Sequence, residues 1–325
     1  MLEKMIVSIT HELDLDGLGS QAIIKRCFTH SNKEKAQEMK LYYAHYTNFI
    51  TIVKQIINNV PLQQGQFIIS DIGFNDDFRE LFSLFSKAED NYCEILWFDH
   101  HIIDKNNEEE LQKLIKLYLN DPKRCTAEII KDHYLPDDFV ANKIAKFSRD
   151  IDFQTKKYEV ASNLQSIIAY NRGYELDDVK KKIVDLMSVG KFEDPWFDEE
   201  LVKVKQWENK QTEFALNHVK IIEIKDFGKI LISFATLGGG KIVSVLKDHF
   251  TEIKCYIGID FRYNEIIIHS DYVNCRELAR TYKGGGHKNR AGFKFDKIFT
   301  KGHEISREFV QNMEIAIYKF KLNGI

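Results

Sequence analysis

The sequence predicts an α/β protein with an N-terminal, mainly parallel sheet flanked by helices, a linking helix and a smaller C-terminal α/β domain. Three observations predict it. Short apolar runs alternate with stretches of helical periodicity through the first 150 residues, the pattern of a parallel sheet with crossover helices. Several of those runs stop abruptly on acids or imidazoles, most sharply where Glu94-Ile95-Leu96-Trp97-Phe98 runs into Asp99-His100-His101. Strand signal then returns at Val219 after a charged, helical middle section.

In chain order, Met5 to Ile9 reads as a strand and Leu18 to Cys27 as a helix, joined by a loop that holds His11, Asp14, Asp16 and Gly17. Two carboxylates one residue apart with an imidazole nearby suit a hard divalent cation, and Gly17 permits the sharp turn into the helix. A calcium loop is excluded, because the twelfth position counted from Asp14 is Lys25 where a bidentate Glu is needed. Leu41 to Ala44 is a second strand, Phe49 to Asn59 a helix, and Phe67 to Ser70 a third strand that ends on Asp71. Glu94 to Phe98 is the fourth strand, followed by a short strand at Leu117 to Leu119 and a helix at Thr126 to Tyr134. Asp138 to Arg149 reads as a helix leading into an acidic turn, Asp150-Ile151-Asp152. Either aspartate of that turn can reach the same cluster; Asp152 is preferred because Asp150 can cap the helix or pair with Arg149. Parallel strands place their carboxyl ends on one edge, so these acids and imidazoles converge. Such a set suits two metals about 3.5 to 4 Å apart, bridged by one carboxylate, which activate a water and clamp a phosphoryl group.

Composition narrows the class. With 44% hydrophobic and 29% charged residues and four prolines, the chain is an ordinary globular protein without a disordered tract. Its net charge of −3 gives no global pull on nucleic acid, so a polyanion must be held by a local patch or by metal ions. No apolar run approaches the roughly 20 residues of a membrane span, and no signal-peptide pattern precedes the first strand, so the expected location is cytoplasmic, with no membrane partner. Five cysteines, odd in number and never in a Cys-x-x-Cys pair, exclude a disulfide framework and a zinc ribbon. Nothing in the sequence marks a protein partner or an oligomeric state.

The second half is read in the same way. Residues 155–218 are mostly helical and charged; Lys180-Lys181-Lys182 reads as a solvated helix face, and Lys203 to Asn217 as a helix bridging two domains. Domains are placed at 1–190 and 219–325, with 191–218 as a helical linker. Strands follow at Val219 to Ile224, Lys229 to Phe234, Cys255 to Asp260 and Ile266 to His269, with helices at 241–249 and Cys275 to Tyr282. Gly238-Gly239-Gly240-Lys241 lacks the Ser or Thr and the earlier Gly of a phosphate loop and reads as a flexible turn. The run from Lys283 to Gly292 is different. Three consecutive glycines, Gly284, Gly285 and Gly286, forfeit backbone entropy and let the backbone come close to a ligand, and His287, Lys288 and Arg290 add donors for a phosphate.

Together these motifs resemble the DHH phosphoesterase superfamily, named for the triplet present here as Asp99-His100-His101. Its four N-terminal motifs occur in order: His11 to Gly17, Asp71, Asp99 to His101, and Asp152. The resemblance implies that residues 1–190 form the catalytic metal-binding domain. His11, Asp14 and Asp71 would hold one ion, and Asp16, Asp71, His100 and Asp152 the other, with Asp71 as the bridge. His101 would face the substrate phosphate and Asp99 would support the neighbouring histidines. Many members have one more residue between the first His and the first Asp, which leaves Glu12 as an alternative to Asp14.

The run Gly284 to His287 with Ala291-Gly292 resembles the DHH-associated C-terminal domain, which binds substrate and closes over the metal site. There Gly284, Gly285, Gly286, His287 and Arg290 would bind substrate, joined by Arg262 from a preceding strand. Two manganese ions are the implied cofactor, with magnesium or cobalt as substitutes. The implied activity is that of small NrnA- and NrnB-like enzymes, which hydrolyse very short RNA to mononucleotides. Alternatives are a cyclic-nucleotide or cyclic-dinucleotide phosphodiesterase, a 3′-phosphoadenosine 5′-phosphate phosphatase, and a nucleotide-binding protein that keeps the fold without catalysis.

Overall fold

A computed structural model describes residues 5–31, 39–59, 65–90, 93–301 and 304–322. The chain divides into two units, Met1–Val204 and Lys205–Ile325. In the first, strands β1 (Ile6–His11), β2 (Met39–Ala44), β3 (Gln66–Ser70), β4 (Glu94–Asp99) and β5 (Leu117–Asn120) form one sheet in the order β2-β1-β3-β4-β5. Every pair is parallel.

Successive residues of the central strands point to opposite faces, and both faces are covered, which is why these strands are apolar throughout instead of alternating with polar residues. On one side Ile6, Ile68, Leu96 and Phe98 meet helices α1 (Leu15–Ser31), α5 (Thr126–Tyr134), α6 (Phe139–Asp152), α7 (Glu159–Tyr170) and α8 (Asp177–Ser188). On the other, Val7, Ile9, Phe67, Ile69, Ile95 and Trp97 meet α2 (Phe49–Asn59), α3 (Leu81–Asp90) and α4 (Lys105–Gln112). Trp97 is fully buried, and its indole N–H donates to the Ile72 carbonyl at 3.0 Å. Truncating it to Ala would cost about 3–5 kcal/mol, mostly cavity.

Register decides where the polar residues emerge. Thr10 lies opposite Ser70, Ser70 opposite Phe98 and Asp99 opposite Asn120. Consequently His11, Asp71 and Asp99 leave adjacent strands at one edge.

The second unit begins within α9 (Pro195–Asn217), a helix longer than the Lys203 to Asn217 expectation and one that runs through the division between units. Its sheet has the order β10-β11-β9-β8-β7-β6, built from β6 (Lys220–Ile224), β7 (Gly228–Ala235), β8 (Cys255–Asp260), β9 (Glu265–His269), β10 (Gly285–Gly286) and β11 (Arg290–Lys294). Only β7 and β8 pair in parallel. Helices α10 (Gly239–His249), α11 (Cys275–Arg280) and α12 (Arg307–Phe320) complete it.

Several expectations are corrected. The acidic stretch 150–152 is the last turn of α6, because Phe153 N–H still bonds the Arg149 carbonyl. Gly239 and Gly240 are no flexible turn; they start α10, and a Cβ on Gly239 would lie 2.6 Å from the Gly258 carbonyl oxygen of β8, so glycine is what lets helix and strand touch. The run Lys283 to Gly292 is partly strand, since Gly285 and Gly286 pair with Gly292 and Ala291. Helix α12 had no counterpart in the sequence reading. Among the described residues no helix is long and apolar enough to cross a membrane.

Candidate metal centre

At the carboxyl edge of the first sheet, the loop after β1 brings His11 and Asp14 together, Nδ1 to Oδ2 at 3.1 Å. Asp16 is already in the first turn of α1 instead of in the loop. Its carboxylate is buried and accepts two backbone N–H groups from the start of α5, Thr126 at 2.7 Å and Ala127 at 2.9 Å. A helix N-terminus suits an anion there. Burial, with repulsion from Asp71 next, nevertheless pushes the Asp16 carboxyl well above its usual pKa.

Asp71 follows β3 with φ +58°, the left-handed conformation that Asp tolerates better than most residues. Its N–H donates to the Phe98 carbonyl at 3.0 Å, so the ladder continues while the side chain turns into the cluster. The two carboxylate oxygens serve different neighbours. Oδ2 is 3.7 Å from His11 Nδ1, whereas Oδ1 is 3.4 Å from His100 Nε2 and accepts the Thr126 hydroxyl at 3.1 Å. Burial opposes its ionisation, but His100 and His11 outweigh that and hold the carboxyl below the usual range.

His100 joins two further acids: Asp152 Oδ2 at 3.5 Å from Nδ1 and Asp16 Oδ2 at 3.9 Å from Nε2. Asp150 does not take part; it is buried and accepts the backbone N–H groups of Lys157 at 2.7 Å and Tyr158 at 3.1 Å, closing the turn after α6. Burial lowers the affinity of His11 and His100 for a proton, yet their carboxylate neighbours raise the pKa values to about 10 and about 9. His101 Nδ1 is bonded to buried Asp99 at 2.8 Å, and its side chain is 39% exposed, more than those of His11 and His100. Its ring lies edge-on to Tyr46, whose hydroxyl accepts the Gly73 N–H at 3.1 Å.

Three sets of donor atoms result, each within 4.8 Å: His11, Asp14 and Asp71; Asp16, His100 and Asp152; and Asp71, His100 and His101. The residues fit a divalent metal. Four carboxylates and three imidazoles crowd together in these sets with no Lys or Arg among them, and acids in such numbers need a cation. Mixed oxygen and nitrogen donors are the chemistry of manganese, cobalt or zinc more than of calcium.

Glu12 is no rival to Asp14. Its carboxylate is turned to Lys180, which is fully buried and is not part of a solvated face. The signal was present in the sequence: Lys180, Ile183, Val184 and Met187 occupy one helical stripe and are all buried. Thr126, Tyr46 and Gln165 carried no comparable signal. Gln165 accepts the Leu15 N–H at 2.8 Å and donates to the Leu13 carbonyl at 3.2 Å, bracing the loop that holds Asp14.

In the second unit the glycine-rich run forms a tight hairpin. A Cβ on Gly284 would lie 2.2 Å from the Gly292 carbonyl oxygen, and Gly286 has φ +137°. His287 and Arg290 are exposed at its tip, the His287 N–H donating to the Arg290 carbonyl at 2.7 Å. Arg262 lies in the turn after β8, not on a strand, and its guanidinium forks onto Asp260 at 3.1 and 2.9 Å. That carboxylate holds it in place.

No family model and no curated protein matches the chain. Solved structures do. A DHH domain from a member of the s1p family of ribosomal proteins matches with TM-score 0.55 and 14% identity, covering 98% of this chain and 88% of that one. A pGpG-specific phosphodiesterase, PggH from Vibrio cholerae, matches with TM-score 0.53 and 14% identity over 97% and 98% of the two chains. CDC45 from Entamoeba histolytica matches with TM-score 0.55 and 9% identity over 97% and 95%. Sequence identity this low speaks for the fold alone, and over nearly its whole length the chain shares the fold of these structures, one of them a DHH domain.

Proposed function

We propose that the chain is a manganese-dependent phosphodiesterase that hydrolyses short oligoribonucleotides or dinucleotides to mononucleotides. The observation that carries the reading is Asp71, whose two oxygens face two separate donor sets, as a bridging carboxylate between two ions must. His11, Asp14 and Asp71 would hold one ion and Asp16, Asp71, His100 and Asp152 the other. Two bound divalent ions supply a nucleophilic water at neutral pH and clamp the phosphoryl oxygens.

The chain's own residues do the rest. The Asp99 carboxylate accepts from His101 Nδ1–H and, against burial, raises the affinity of the ring for a second proton, so that the imidazolium form presents Nε2–H to a phosphoryl oxygen as negative charge develops on it. In the second unit, the backbone of Gly284 to Gly286 with His287 and Arg290 binds a substrate phosphate, and Arg262 adds donors from its fixed guanidinium. A dinucleotide is favoured because a structure of this fold belongs to a pGpG-specific phosphodiesterase.

The test is Mn2+ titration and hydrolysis by the wild type and Asp71→Asn, across RNA of two to about ten nucleotides, a cyclic dinucleotide, 3′-phosphoadenosine 5′-phosphate and pyrophosphate. Asn accepts the left-handed backbone, so the variant keeps the fold while losing the bridging charge. Release of mononucleotides from the shortest RNAs is expected, with kcat in the variant lower by at least about 10²-fold, the scale on which one charge-stabilising group acts. Turnover of the cyclic dinucleotide or of 3′-phosphoadenosine 5′-phosphate alone would replace the substrate assignment. A wild type that binds no Mn2+ would overturn the metal reading.

A further inference from the structure

A lysine with no exposed surface is rare, and Lys180 is one, 0% exposed in the middle of the first unit. Its ammonium has three protons and three acceptors: the Glu12 carboxylate, the Gly173 carbonyl at 2.9 Å and the Asp177 carboxylate at 2.8 Å. The face of Tyr43 closes the site, 5.3 Å from the ammonium to the ring centroid. Glu12 is equally buried, and its N–H donates to the Ala44 carbonyl at 2.9 Å. It stands between His11 and Asp14, whose side chains enter the metal centre while that of Glu12 turns the other way.

We propose that Lys180 is a positioning residue for the metal centre: by capturing Glu12 it anchors the loop that presents His11 and Asp14. The inference rests on the two-metal reading of that site. The anchoring is selective. Asp16 lies in α1 and is pinned by the N–H groups of Thr126 and Ala127, while His100 and Asp152 stand on β4's end and α6, none of them tied to Lys180. Loss of the lysine therefore loosens one donor set and spares the other. Without Lys180, the Glu12 carboxylate keeps the His45 imidazole, 3.8 Å away, but loses the buried ammonium that holds the loop.

Mn2+ binding to the purified full chain, read by electron paramagnetic resonance together with thermal melting, tests this in three proteins: wild type, Lys180→Met and Glu12→Gln/Lys180→Met. Wild type is expected to bind two ions. Lys180→Met is expected to melt lower and to lose about 10- to 100-fold in affinity at one ion only, the range found when a group supporting a metal ligand is removed. The double variant removes both buried charges, so its melting temperature recovers while the weak site stays weak, because the anchor is still missing. A double variant with both affinities at the wild-type level overturns the proposal, as does equal weakening of both ions in step with the loss of stability. If Lys180→Met does not fold, the double variant decides. A wild type that binds no Mn2+ is a separate result that removes the metal reading and this inference with it.

Discussion

Replacing Gly73 by Ala probes the site through geometry alone, without touching a charged group. Gly73 follows Asp71 by two residues and is not in the left-handed region, so Ala has no backbone conflict there. Space is the constraint. An added Cβ would sit 2.6 Å from His101 Cβ, 2.9 Å from His101 Cγ and 3.2 Å from the Tyr46 hydroxyl. To reach the 3.4 Å edge of ordinary contact from 2.6 Å, His101 must withdraw by about 0.8 Å. A shift of that size directed along the Nδ1 bond to Asp99, now 2.8 Å, would stretch it to about 3.6 Å, beyond hydrogen-bonding range. Asp99 is 1% exposed and its other oxygen has no partner, so the buried carboxylate would be left bare.

Overpacking of this kind costs about 1–3 kcal/mol of stability, and a displacement near 1 Å at a reacting group costs about 10²-fold in rate. The assay is Mn2+-dependent hydrolysis of a dinucleotide with a thermal melt alongside. Gly73→Ala is expected to remain folded and to lose about 10²-fold in kcat. Gly238→Ala is the control, since nothing lies within 4 Å of its added Cβ. A folded Gly73→Ala protein with kcat within about twofold of wild type would refute the role given to His101.

Four further outcomes are expected. Mn2+ affinity should rise with pH between about 6.5 and 9, by up to about tenfold per pH unit for each imidazole that must lose its proton, because metal-free His11 and His100 hold theirs up to about 10 and about 9. Affinity that is flat or falls with pH, measured by titration, would contradict the ligand assignment. The metal-free protein should show the opposite trend: a raised folded-state pKa stabilises fully below the unfolded value near 6.5, and that contribution fades as pH climbs toward 9 to 10. Its melting temperature over that window checks the sign. Asp150→Asn and Asp152→Asn should separate cleanly, the first lowering the melting temperature by loss of strong acceptors for Lys157 and Tyr158, the second weakening Mn2+ binding with little change in stability. Gly286→Ala, strained at φ +137° and 2.6 Å from Ala291 Cα, should raise KM for a dinucleotide while Mn2+ affinity stays unchanged. An unchanged KM would remove the hairpin from substrate binding.

The sequence by itself determined the α/β class and which short stretches carry chemistry. Both are local properties: apolar runs, helical spacing, and polar side chains at the ends of strands. Because parallel strands share one edge, the sequence alone places His11, Asp71 and Asp99 to His101 together. Tertiary structure decided everything that depends on partners far along the chain. Asp150 and Asp152 look alike in sequence, yet they sit on opposite sides of α6, one turned to Lys157 and Tyr158 and the other to His100. Asp16 finds its N–H donors 110 residues away, at the start of α5. Lys180 lies on the apolar stripe of α8, a local signal of burial, but only the fold brings to it its counter-charge, Glu12, 168 residues earlier. A buried charge is tolerated only where a counter-charge meets it, and that meeting is a property of the folded chain.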